Sequence, residues 1–128
     1  MASKRLARLG EQLKREISEL IRRDVHDPRV GAVTVTGARV SGDLSVAWVY
    51  VRPLAETPEE AEETLAGLHA AAPFLRRTLG RSLHVRRIPE LRFEVDRTLE
   101  KASEIERILS EVVIPDEVDD GDDGGSEE

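Results

Sequence analysis

Apolar residues recur at three- and four-residue steps near the start of the chain: Leu6, Leu9, Leu13, Ile17, Leu20 and Ile21. Such spacing draws one stripe along an α-helix, so residues 3–24 read as a helix. Ser3 stands where it can cap the start, and Asp27-Pro28 follows the end, proline disfavouring helix in the residue before it. The period then falls to two. "AVTVTG" alternates Val33 and Val35 with threonines and reads as a strand. Val40 falls out of that phase, which marks Gly37 as a bulge. Ser41-Gly42-Asp43 is turn chemistry, and "LSVAWVYV" at 44–51 is β-branched or aromatic on both parities, as an inner strand is.

Thr57-Pro58-Glu59-Glu60 joins a capping box to a proline at the first helical position. Ala61, Leu65, Leu68 and Ala72 line the helix that follows. Pro73 interrupts it, because proline has no N–H to continue the ladder. Leu75, Leu79 and Leu83 start a new stripe at once, so two short helices are expected to meet at a kink formed by Ala71, Ala72 and Pro73. "LRFEV" then turns Leu91, Phe93 and Val95 inward as a third strand. A last helix spans residues 98–112, with Ile105, Ile108, Leu109 and Val112 apolar.

These elements make an α+β fold in the order α-β-β-α-kink-α-β-α, a three-stranded sheet packed by helices. The strand-helix-helix-strand order of residues 44–96 is that of a KH domain core, and the preceding helix and strand fit the type II arrangement. KH domains hold single-stranded or distorted nucleic acid where the paired helices meet. The GxxG loop usual at that junction is missing. Gly121 to Gly124 has the spacing, but its two central aspartates would repel phosphate.

Composition narrows the classes. The 128 residues contain no cysteine, which excludes disulfides, thiolate metal sites and Cys nucleophiles, and suits a reducing compartment. No apolar run reaches the roughly 20 residues of a membrane span, and the basic N-terminus lacks the apolar core of a secretory signal. A cytoplasmic protein is expected. His26, His69 and His84 are scattered, and no P-loop or Rossmann fingerprint occurs, so neither an enzyme nor a cofactor is expected.

Charge changes the picture once it is divided. The net charge is −7, yet residues 115–128 hold eight acids and no base, leaving 19 bases against 18 acids in residues 1–114. Residues 1–114 are read as the folded domain and 115–128 as a disordered acidic tail. Six of the seventeen residues at 76–92 are arginines, against one glutamate. At 100° per residue, Arg76, Arg77 and Arg81 share a helix side opposite Leu75, Leu79 and Leu83. Arg86 and Arg87 follow in the loop before Pro89. Guanidinium forks suit phosphate oxygens and stack on splayed bases. Lys4, Arg5 and Arg8 make a second cluster at a helix start, where cations oppose the dipole and an outside anion would relieve them. The bland alternative is a solvated face whose arginines pair with Glu90, Glu94 or the glutamates of 59–63. Trp48 and Tyr50 share one strand parity; they are expected to pack structurally, with a base-stacking platform as the alternative.

"KRLARLGEQLKREISELIRRDVHDPRVG" (4–31), "TVTGARVSGDLSVAWVYV" (34–51) and "FLRRTLGRSLHVRRIPELRFEVD" (74–96) together resemble the ribosome-binding factor A family, over roughly residues 4–112. The R-x-P-x-L-x-F-x-x-D element, Arg87 to Asp96, is specific in that company. The resemblance implies a type II KH-like fold without GxxG. It also implies a non-catalytic, monomeric factor for late maturation of the small (30S) ribosomal subunit. Such a factor contacts 16S rRNA near its 5′-terminal helix, supports rRNA processing and growth in the cold, and is released by a ribosome-associated GTPase. Family members usually carry Ala-x-Gly at the kink, where this chain has Ala71-Ala72-Pro73. The expected RNA-binding residues are therefore Arg76, Arg77, Arg81, Arg86, Arg87, Lys4, Arg5 and Arg8. A protein-interaction module and a single-stranded DNA binder remain the alternatives.

Overall fold

The computed structural model describes residues 4–83 and 87–112. The chain forms two units, Met1–Asp96 and Arg97–Glu128. The first holds α1 (Lys4–Asp24), β1 (Val33–Val40), β2 (Val46–Pro53), α2 (Pro58–Ser82) and β3 (Glu90–Val95); the second holds α3 (Thr98–Val112). The expectation of a disordered tail at 115–128 lies outside the described residues.

The sheet has the order β1-β2-β3, with β1 and β2 antiparallel and β2 and β3 parallel. Its buried face presents Val35, Val40, Ala47, Val49, Val51, Leu91 and Phe93 to α1 and α2. Those helices supply Leu13, Ile17, Leu20, Ile21, Leu68, Leu75 and Leu79, so the helical stripes read from sequence are the ones that enter the core. The arrangement is a type II KH-like domain.

Local chemistry sets the boundaries. The register shifts between Val35 and Gly37, the bulge that brings Val40 back to the core face. In the β1–β2 turn, Asp43 accepts from the hydroxyls of Ser41 and Ser45, both at 2.8 Å, and from the Ser45 N–H at 3.1 Å. These donors, the Ser45 hydroxyl foremost, hold its carboxyl down at about 2. At the start of α2, Thr57 Oγ1 accepts from Glu60 N–H at 3.1 Å, and Glu60 Oε1 accepts from Glu56 N–H at 2.8 Å, one residue earlier than a capping box requires.

One element differs from expectation. The two helices read on either side of Pro73 form a single helix, α2, with Pro73 inside it. Proline withholds only the N–H that would reach the carbonyl of His69, and the leucines beyond it, Leu75 and Leu79, anchor the continuation by full burial. Ala71 and Ala72 are half-buried and Pro73 is exposed.

Two glycines permit close approach. A methyl built on Gly10 would lie 2.6 Å from the carbonyl oxygen of Ala38, so α1 crosses β1 with no room for a side chain. At Gly67 a methyl would meet Val30 Cγ2 at 2.9 Å, where the segment after α1 crosses α2.

In the second unit, α3 carries Leu99, Ile105, Ile108 and Leu109 as exposed positions. Arg97 pairs with Glu100 at 3.0 Å, and Arg107 pairs with Glu104 at 3.3 Å and Glu111 at 3.1 Å. Among the described residues no helix is long and apolar enough to cross a membrane.

Candidate nucleic-acid interface

The packing directions decide which charges meet. Gly10 of α1 abuts Ala38, while Ile21 and Val25 line a cavity with Val33 and Val35, so α1 runs antiparallel to β1. Its first turns lie at the Val40 end. On α2, His69 reaches Phe93 and Arg76 reaches Ile88 and Pro89, so α2 runs antiparallel to β3 and ends where β3 begins. Val40 pairs with Ala47 and Ala47 with Leu91. The start of α1, the end of α2 and the lead into β3 therefore share one end of the sheet.

That end gathers Lys4, Arg5, Arg8, Arg77, Arg81 and Arg87, all exposed. The glutamates at 59–63, on the first turns of α2, lie at the opposite end. There Arg22 and Arg23 pair with Glu19, and Arg29 pairs with Asp27 at 2.7 Å, a contact that holds the Asp27 carboxyl below the usual range. On β3, Arg92 pairs with Glu90 at 3.3 Å. Among the described residues no carboxylate pairs with Lys4, Arg5, Arg8, Arg77, Arg81 or Arg87. Arg22, Arg23, Arg29 and Arg92 are offset by acids, whereas the cations at the shared end are exposed and form no ion pair among the described residues.

Arg76 behaves differently from its neighbours. Its Nε donates to the Pro89 carbonyl at 3.1 Å and its Nη2 to the Ile88 carbonyl at 2.9 Å. Its guanidinium fixes the segment leading into β3, which makes it a positioning residue. Arg86 lies outside the described residues.

The R-x-P-x-L-x-F-x-x-D element is mostly structural. Pro89, Leu91 and Phe93 are buried. Asp96 accepts from Thr36 Oγ1 at 2.6 Å and approaches Arg52 at 3.8 Å, tying β3 to β1 across β2. Arg87, at its start, faces solvent.

Trp48 and Tyr50 are not in the core. Ala47, Val49 and Val51 take the buried parity of β2, leaving both rings half-buried on the opposite sheet face. The Arg39 guanidinium lies over the Trp48 ring, 4.4 Å from its centroid. The sequence carries no signal for that pairing beyond the parity of β2. Among the described residues no group of three or more His, Asp or Glu is placed to hold a metal ion.

A model of the ribosome-binding factor A family matches residues 5–109. The ribosome-binding factor A of Pseudomonas putida strain GB-1 is 40% identical over 126 residues, 97% of this chain and 96% of its own. The crystal structure of ribosome-binding factor A from Thermus thermophilus superposes with a TM-score of 0.62 at 38% identity, covering 70% of this chain and 94% of that one. A homology model of the Thermus thermophilus factor, fitted into a cryo-EM map of a 30S–factor complex, gives a TM-score of 0.59 at 37% identity, covering 72% and 96%. Sequence match over most of the length and a shared KH-like core agree, and the chain belongs to the ribosome-binding factor A family.

Proposed function

We propose that this chain is a non-catalytic assembly factor that docks on the small ribosomal subunit through precursor 16S rRNA during late maturation, near the 5′-terminal helix. The cationic end of the sheet is the docking surface. Arg77, Arg81, Arg87, Lys4, Arg5 and Arg8 would meet phosphates, Arg86 would extend the set, and Arg76 would hold the lead into β3 in place beneath them. The observation that carries this reading is the convergence of two sequence-distant basic clusters, without carboxylate partners among the described residues, at one end of the fold. Binding of this kind needs no cofactor and works as differential affinity: the rRNA conformation that fits the surface gains population. Release by a ribosome-associated GTPase and action as a cytoplasmic monomer belong to the same reading, on the family's support.

The test is co-sedimentation with precursor and mature small subunits at two salt concentrations, beside Arg77→Glu/Arg81→Glu. Binding by the wild type that weakens with salt and is lost in the folded variant is expected. Binding that persists in the variant and survives ribonuclease treatment of the subunit would place the contact on protein instead.

A further inference from the structure

The face of the sheet turned away from α1 and α2 carries an arrangement that subunit docking by the cationic end does not use. Along β2 the outward positions are Val46, Trp48, Tyr50 and Arg52. The register sets Arg39 of β1 and Arg92 of β3 on either side of Trp48, and Gly37 and Glu94 on either side of Tyr50. Gly37 has no side chain to cover the Tyr50 ring on the β1 side. Trp48 and Tyr50 are two residues apart on one strand, about 7 Å, so two rings stand in line.

Charge on this face is divided by column. The acids Glu90, Glu94 and Asp96 all belong to β3 or directly follow it. The β1 and β2 strands themselves contribute Arg39, Arg52, Thr34 and Thr36 to this face, and the one acid that reaches them is Asp96, whose carboxylate accepts from Thr36 at 2.6 Å beyond Tyr50. Arg92 is offset by Glu90 at 3.3 Å, and Arg52 lies 3.8 Å from Asp96. Arg39 has no carboxylate partner among the described residues; its guanidinium rests on the indole, 4.4 Å from the centroid. An exposed cation–π contact of this kind is weak, little enough for a ligand to displace.

We infer that this face is a second RNA site, separate from the cationic end, that takes single-stranded RNA across the β1 and β2 columns. One unpaired base stacks on Trp48 and a neighbouring base on Tyr50, while Arg39 turns from the indole to a flanking phosphate. Aromatic rings in line on a sheet face suit splayed bases, because every base has a π-face. Glu90 and Glu94 keep the RNA backbone beside the two rings to the β1 side, and Asp96, held on Thr36, bounds the site beyond Tyr50. The inference rests on the chain being an RNA-binding factor, but not on which residues grip the subunit.

Trp48 is the chain's single tryptophan, so its fluorescence reports on the site directly. The full chain would be titrated with a fluorescein-labelled single-stranded RNA of mixed sequence, about twelve nucleotides long to span a site of this kind. RNA binding is followed by anisotropy and the ring by tryptophan emission. The titrations are run on the full chain carrying Arg77→Glu/Arg81→Glu, which weakens the cationic end, and the expected result is saturable quenching of Trp48 at the same midpoint as the anisotropy change. Trp48→Leu should weaken binding by roughly tenfold, within the range for loss of one stacked base. Arg39→Ala should weaken it by a smaller factor and serves as the second variant if Trp48→Leu melts early. Anisotropy change without quenching, equal binding by Trp48→Leu, or no binding of the oligomer would each overturn the inference. If Arg77→Glu/Arg81→Glu meanwhile loses the subunit, the docking reading stands and only the sheet site falls. If the oligomer leaves Trp48 unchanged while Trp48→Leu loses co-sedimentation, the face is a protein contact.

Discussion

The guanidinium of Arg76 donates to the backbone carbonyl of Pro89, thirteen residues away, and so fastens the end of α2 to the start of β3. Arg77, next in sequence, makes no such contact among the described residues. Adjacent arginines thus have separable tasks. Arg76→Ala removes two charge-assisted hydrogen bonds, and about 1–2 kcal/mol of stability should go with them, since the site is open to water. A thermal melt should show Tm lower by several degrees. An unchanged Tm would mean that the loop is held without Arg76.

Arg77→Glu/Arg81→Glu should leave Tm close to the wild-type value and act on binding alone. If both arginines neutralise phosphates, subunit affinity should fall, and the slope of log K against log salt should shrink by roughly 1.5–2. Affinity measured across a series of salt concentrations checks this. A slope equal to that of the wild type would mean that neither side chain meets a phosphate.

Gly10→Ala should be among the most damaging single-methyl changes in the chain. The added carbon would lie 2.6 Å from the Ala38 carbonyl oxygen, so α1 must lift from β1. Overpacking of this kind costs about 2 kcal/mol, or roughly 10 °C in Tm for a body of this size. Gly42→Ala is the control, since a methyl there meets nothing within 4 Å. Comparable melts for the two variants would contradict the close crossing.

These residues also mark what the sequence alone conveys. The stripe Leu13, Ile17, Leu20 and Ile21 announces both a helix and its buried side, because helical period and burial are the same information. Gly37 announces its bulge by throwing Val40 out of phase. Gly10 announces nothing: a glycine inside a helix looks like a weak position until the strand that crosses it is known. Trp48 is hard to place because β2 is apolar or aromatic on both parities, and no local pattern says which parity the helices cover. Arg76 and Arg77 are identical as letters, and only the fold brings Pro89 to one of them. Pro73 reads as a break, whereas the tertiary burial of Leu75 and Leu79 carries the helix past it.

Asp43 should titrate near 2, because the hydroxyls of Ser45 and Ser41 and the Ser45 N–H favour its charged form. Its unfolded value is about 3.9. A lowered carboxyl contributes stability above the unfolded value and loses it as pH falls through the folded one. The turn should therefore stay intact at about pH 4 and loosen toward about pH 2. Side-chain carbon shifts of Asp43 followed by NMR check this, with Asp43→Asn as the reference that lacks the transition. A midpoint near the unfolded value of about 3.9 would mean that the serine contacts do not persist in solution.

A three-stranded sheet has two open margins, and β3 forms one of them. At that margin Nε2 of His69 accepts the N–H of Phe93 at 3.0 Å, and the two rings meet edge to face at 5.5 Å. An imidazole on α2 has taken the rung that a foreign strand would use. Sheet margins recruit extended chains through their unpaired backbone groups. By closing that position of β3 from within, the fold takes from a foreign strand one of the hydrogen bonds it would need to extend the sheet.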